Sequence, residues 1–223
     1  MIEARMSDLN YNEVLMYLGH RGQDVTPEVQ RQIQNDMEEV KRNVVPRLVY
    51  SRLPVRNGGI SGFPMKGNDI REVLLPCCEA VLLAVTAGAQ IEQVLMRHEV
   101  TNMADAVIMD ACASVAVENI CDDFEADLRE QLKHENLYLT SRFSPGYGDF
   151  PIDTQIKLCE ILNTLRRIGL TVTDRYLMVP RKSVTAVMGI SVEPQELRKR
   201  GCETCGMFLN CDYRKRGVSC EGS

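Results

Sequence analysis

The feature that most constrains this chain is the stretch after Asn102. Asn102 can cap a long helix over residues 103–132. That helix is unusually rich in small residues: Ala104, Ala106, Ala111, Ala113, Ser114 and Ala116. Small side chains let a neighbouring backbone or a ligand approach closely. Just before it, residues 79–85 (EAVLLAV) form a nearly continuous apolar run of strand length, which suits a buried central strand.

Shorter signals fill in the rest. Residues 8–19 read as a helix with an Asp or Asn cap and Gly19 as stop. Thr26 and Pro27 open a second helix, to about residue 44. Residues 48–55 look like a strand that Pro54 confines to an edge, and Asn57-Gly58-Gly59 turns it into another short strand. A short helix is expected over 69–75, and another from Gly88 through Arg97. Residues 137–143 are strand-like, 144–151 form a loop, and Asp153 caps a helix to about residue 168. Residues 170–178 and 183–190 read as a strand pair. Irregular alternation of helices and strands favours an α+β fold with a mixed or antiparallel twisted sheet and long helices over a doubly wound one. The expected organisation is a helical segment over 1–64 packed on a main domain over 65–200, followed by a Cys-rich tail over 201–223.

Composition removes several classes. Apolar residues make up 44% and aromatics only 5%, with no Trp, so the core must be built from Leu, Ile, Val, Met and Ala. The net charge is −5 and no basic stripe is interleaved with aromatics, which argues against nucleic-acid binding. The longest apolar run, residues 80–89, is too short to span a bilayer, and the N-terminus lacks the apolar core of a secretory signal. The expected setting is cytoplasmic, with no membrane partner. Gly58-Gly59-x-x-Gly62 lacks dinucleotide-loop spacing and reads as turns. Cys77 and Cys78, next to the buried strand, read as core or near-core, as do Cys112, Cys121 and Cys159.

One loop carries candidate chemistry: Arg142-Phe143-Ser144-Pro145-Gly146-Tyr147-Gly148-Asp149. Pro145 fixes φ and Gly146 permits a positive φ, the signature of a type II turn. Arg142 can hold a carboxylate by two parallel hydrogen bonds, and Tyr147 offers a flat face and one hydroxyl. Together they suit a zwitterionic, adenine-bearing ligand; the bland alternative is a structural turn beside a surface Arg.

The pattern R-x-x-P-G-Y resembles the S-adenosylmethionine-binding motif of the activation domain of cobalamin-dependent methionine synthase. Other pieces resemble that family in the same order. They are Val85-Thr86-Ala87-Gly88 with Ile91-Glu92, the Ala-rich helix with Glu118, and residues 153–162. Then come Ile168-Gly169-Leu170, Thr173 and Met178-x-Pro180-x-x-Ser183-Val184. The likeness spans about residues 65–195. It implies an activation domain-like fold, with Arg142, Pro145, Gly146, Tyr147 and Glu118 as S-adenosylmethionine-binding residues and a loop with Pro180 and Ser183 facing the corrin. It also has gaps. The first 60 residues show no match, and no aromatic lies between Val184 and Ile190 to supply one family contact. Only three histidines are present, His20, His98 and His134, and none sits in a D-x-H-x-x-G arrangement. The resemblance therefore implies that cobalamin arrives on a partner: methionine synthase or a related corrinoid protein.

Cys202-x2-Cys205-x5-Cys211-x8-Cys220 is a second chemical signal. Four thiols opening with C-x-x-C can surround one zinc ion or one [4Fe–4S] cluster; the alternative is a tail with free thiols. Spacing does not separate the metals. The reactivation chemistry implied by the resemblance needs a one-electron reductant, which favours iron–sulfur and an electron donor protein. The implied function is reductive reactivation, in which the chain, as a methyltransferase component, presents the sulfonium methyl to cob(I)alamin. Two alternatives stand beside it: a non-catalytic S-adenosylmethionine-binding adaptor, and an electron-transfer subunit built on the tail. The motif reading implies that Arg142→Ala abolishes ligand binding and leaves the fold intact.

Overall fold

A computed structural model describes residues 2–20 and 22–195. Its centre is strand β3 (Cys77–Thr86), whose residues 80–85 are fully buried. Side chains alternate along a strand, so Val81, Leu83 and Val85 enter one core while Ala80, Leu82 and Ala84 enter another. Both faces need cover, which is why this strand reads as a continuous apolar run rather than an alternating one.

β3 pairs antiparallel with β1 (Arg47–Arg56) on one side and β7 (Ser183–Ser191) on the other. β2 (Gly59–Ile60) and β4 (Tyr138–Leu139) complete a five-stranded sheet in the order β2-β1-β3-β7-β4, antiparallel throughout. β1 is flanked beyond by a strand of two residues, so most of its outer side is an edge, where Pro54 is tolerated. The sheet crosses the division expected at residue 64. β1 and β2 come from the segment 1–64, and β1 pairs with β3 from Arg47↔Thr86 to Pro54↔Glu79.

One face is covered by α1 (Tyr11–Tyr17), α2 (Pro27–Asn43), α4 (Ala89–Thr101) and α5 (Met103–His134). The caps follow the sequence: the side chains of Asn10, Thr26 and Asn102 accept from the first-turn amides of α1, α2 and α5. α5 has 32 residues, about 48 Å of helix. Its small residues Ala106, Ala113 and Ala116 are buried, and farther along Phe124 meets Tyr50 of the sheet at 5.0 Å between ring centres. The opposite face holds α3 (Asn68–Leu74), α6 (Thr154–Leu162) and α7 (Thr164–Ile168).

Four local expectations are corrected. The helix after Asp153 does not run unbroken to residue 168. Asn163 takes a left-handed conformation (φ 51°) and splits it into α6 and α7. Residues 170–178 do not pair with 183–190. Instead β5 (Thr171–Val172) folds back on β6 (Met178–Val179), and Tyr176 has φ 62° within that tight turn. β7 is thereby free to take the place beside β3. Residues 137–143 pair only at Tyr138–Leu139 and at the Phe143↔Val187 bridge, since Arg129 of α5 takes the carbonyls of Leu139 and Thr140. Finally, Cys78 is exposed whereas Cys77, Cys112, Cys121 and Cys159 are buried. The pairing of β3 with β7 shifts register between Cys77 and Glu79, and the irregularity turns Cys78 outward.

Gly189 of β7 marks the tightest strand contact. A Cβ there would stand 2.3 Å from the Cys77 sulfur and 3.1 Å from Leu74. Gly189→Ala is therefore expected to cost about 1–3 kcal/mol, measured by urea unfolding. Gly59→Ala, where the nearest atom is 3.4 Å away, is the milder comparison.

Candidate functional site

Arg142 and Phe143 are neighbours in an extended segment, so their side chains leave opposite faces. Phe143 enters the α6 side of the sheet and packs on Phe150 at 6.0 Å. Arg142 points the other way, to α5, where its side chain is only 5% exposed. It is not a surface Arg. Its Nη2 donates to Glu118 at 3.0 Å. Its Nη1 lies 2.7 Å from an Asp122 oxygen and 2.6 Å from a Glu125 oxygen. One guanidinium thus faces three carboxylates of one helix, two of them on Nη1 and one on Nη2.

The electrostatics follow from this crowding. Burial works against the charge on Arg142, but Glu125, the Cys121 thiol, Asp122 and Glu118 outweigh it and hold the guanidinium firmly protonated. Burial pushes the Glu125 carboxyl upward, against the pull of Arg142 and Arg129. The carboxylates differ in freedom: Glu125 is 15% exposed, Glu118 37% and Asp122 65%. Glu125 is the fixed counter-ion, while Glu118 and Asp122 can reorient into solvent.

The loop that follows is rigid for identifiable reasons. Tyr147 N donates to Ser144 O at 3.2 Å and Gly146 has φ 96°, as a type II turn over Pro145-Gly146 requires. Asp149 then accepts from the amides of Asn68 (2.6 Å) and Asp69 (3.0 Å), capping α3, whose own Gly67 has no side chain to do so. Pro145 is buried under this turn, while Tyr147 is 70% exposed, its ring open to a ligand or partner.

The loop carrying Pro180 and Ser183 is fastened to the same helix system. Both residues are buried, the Val179–Pro180 peptide is cis, and Ser183 Oγ donates to Pro180 O at 2.7 Å. Arg181 reaches Glu92 and Glu99 of α4. Lys182 reaches Asp110 (2.7 Å) and Ser114 (2.8 Å) of α5. Asp110, Ser114, Glu118 and Asp122 follow one another at intervals of four, which aligns them on one helix face. Lys182 is thus anchored at one end of a polar stripe and Arg142 at the other, about 18 Å of helix apart at most.

The structure brings Arg142 and Glu118 into contact and sets the Pro180–Ser183 loop over the same face of α5. A separate cleft of about 200 Å³ opens beside Pro180, between Arg47, Gly88, Gln90 and Gly169, away from Arg142. Asp122, Glu125 and Lys182 are missing from the sequence reading; the four-residue spacing of Asp110, Ser114, Glu118 and Asp122 signals the first, and no comparable pattern marks the other two. Cys202, Cys205, Cys211 and Cys220 lie outside the described residues. Among the described residues no cluster of His, Cys, Asp or Glu is arranged to hold a metal ion, and no helix is long and apolar enough to cross a membrane.

The ion pairs change what Arg142→Ala would do. Removing the guanidinium leaves Glu125 in a buried site with Arg129 as its remaining cation, so the fold is expected to be weakened rather than left intact. The loop can be tested apart from this. Asp149→Ala removes two amide acceptors at the start of α3 and is expected to cost about 1 kcal/mol, with Asp149→Asn costing less; urea unfolding measures both.

Comparison with known proteins gives this geometry a family. No curated protein matches the chain. Among solved structures, a crystal structure of the MetH reactivation domain bound to AdoHcy is similar in fold. It has a TM-score of 0.58 at 14% identity and covers 95% of this chain and 82% of that one. The family model for the activation domain of vitamin B12-dependent methionine synthase matches residues 80–198. Those residues contain β3 from residue 80 on, the whole polar face of α5, the Arg142 loop and the Pro180–Ser183 loop, and the chain belongs to that family.

Proposed function

We propose that this chain binds S-adenosylmethionine between the Arg142 loop and the acidic face of α5, and serves the reductive reactivation of cobalamin carried by methionine synthase or a related corrinoid protein. Family membership supports the role. The observation that carries the site is the pairing of Arg142 with Glu118, residues 24 positions apart in sequence, within a buried cluster of one guanidinium and three carboxylates of α5.

The residues fit a zwitterionic ligand with a cationic sulfur. Arg142 donates to its carboxylate through the guanidinium hydrogens that Glu118 and Asp122 release when they turn outward. Glu118 and Asp122, exposed enough to move, take its ammonium and face the sulfonium's positive charge. Glu125 stays behind as the counter-ion that keeps Arg142 in place. The exposed ring of Tyr147 covers the adenine end, and Pro145-Gly146 hold that ring in position. Glu118, Asp122 and Glu125 against Arg142 and Arg129 leave the pocket one negative charge in excess, which favours a sulfonium over its neutral thioether product.

S-adenosylmethionine supplies an electrophilic methyl group, and the partner's cobalamin supplies the nucleophile. The chain's own contribution is positioning and exclusion of water. The fastenings of Arg181 to α4 and Lys182 to α5 fix the Pro180–Ser183 loop, which presents a firm surface toward the corrin. No acid–base pair is required for that task. For Cys202, Cys205, Cys211 and Cys220 the proposal is a metal centre: four thiolates suit zinc or a [4Fe–4S] cluster, and the need for single electrons favours the cluster.

Calorimetric titration tests the site. Saturable binding of S-adenosylmethionine is expected, tighter than that of S-adenosylhomocysteine. Arg142→Lys keeps the charge but loses the forked geometry, and should weaken binding at least about tenfold. Glu118→Gln and Asp122→Asn should narrow the preference for the sulfonium. Unchanged affinity in all three variants would remove the site from this loop.

A further inference from the structure

A second cluster of titratable groups lies far from Arg142, where α2 packs against α4 and α5. From α2 come Gln32, Asp36 and Glu39; from α4, His98; from α5, Asp105. Asp36 is 2% exposed, and its Oδ2 has no hydrogen-bond partner. The side-chain amide of Gln32 donates to Asp36 at 2.8 Å and also to Asp105, so one nitrogen bridges two carboxylates. His98 turns Nδ1 to Asp105 and Nε2 to Glu39 at 3.4 Å.

The charges do not balance. Three carboxylates face one imidazole, and even an imidazolium leaves two negative charges in excess. Arg97 stands 4.0 Å from Glu39 but is 66% exposed and screened. The Cys112 thiol also faces Asp36, but burial pushes it up to about 12, so it stays neutral. The charged groups acting on Asp36 are Asp105, His98 and Glu39, and α1, the third helix against α2, adds none among the described residues. A buried carboxylate among like charges is relieved most simply by a proton.

We propose that Asp36, Glu39, His98 and Asp105 form a proton-dependent clasp that holds α2 against α4 and α5, closed when Asp36 carries a proton and loosened as the pH rises. Burial, then Asp105, raises the Asp36 carboxyl to about 6. The folded value thus lies above the unfolded one. The clasp's stabilisation is complete below the ordinary carboxylate range and is lost as the pH climbs through about 6. His98 and Asp105 lie within the residues matched by the family and α2 lies before them, so the clasp ties the preceding segment to the family domain. It does not depend on the ligand site proposed above.

Hydrogen exchange on the full chain, corrected for intrinsic rates, tests this. Protection of the α2 amides should fall about tenfold between pH 5 and 7.5, and Asp36→Asn, uncharged throughout, should abolish that slope. Carboxyl NMR of the wild-type chain gives a reading that does not depend on the variant's folding, with an Asp36 midpoint near 6 expected. An Asp36 midpoint in the ordinary carboxylate range, α2 protection independent of pH, or a slope that persists in Asp36→Asn would each overturn the clasp.

Discussion

Six consecutive apolar residues, 80–85 of β3, must be hidden from water on both sides, and the rest of the architecture answers that demand. A strand alternates its side chains, so one run feeds two cores, and each core needs a helical layer. On one side the layer is dominated by α5, whose buried Ala residues let it lie close to its neighbours. A helix that buries one stripe leaves another facing outward. Here that outer stripe carries Asp110, Ser114, Glu118 and Asp122, and both candidate loops reach over to it.

The site is therefore held by charge on a scaffold held by apolar burial. Arg142 is buried among carboxylates of unequal exposure, and that inequality matters. A buried ion pair contributes little net stability, because desolvation offsets most of the attraction. Its use lies in placement. Glu125 fixes the guanidinium, while Glu118 and Asp122 are free enough to exchange one positive partner for another. Lys182 and Arg181 repeat the device in the loop between β6 and β7, where each crosses to a helix carboxylate.

Much of this was legible in the sequence, for reasons that are local. Caps at Asn10, Thr26 and Asn102, the run 79–85 and the Pro145-Gly146 turn each have a chemistry that acts within a few residues. The resemblance named Arg142 and Glu118, which the fold brings into contact. What stayed hidden is non-local. The pairing of β7 with β3 rather than with residues 170–178 depends on a tight turn at Tyr176 that periodicity does not show. The break at Asn163 has no Gly or Pro to announce it. The burial of Arg142 follows from which face of the sheet it leaves, so a candidate ligand-binding Arg also proved to be a structural one.

The most direct measurement is single-turnover methyl transfer from S-adenosylmethionine to reduced cobalamin on a purified corrinoid partner, followed by the visible spectrum of methylcobalamin. The account predicts that transfer requires this chain and is strongly slowed by Arg142→Lys in protein that remains folded. Transfer at the same rate without the chain, or undiminished in that variant, would contradict it.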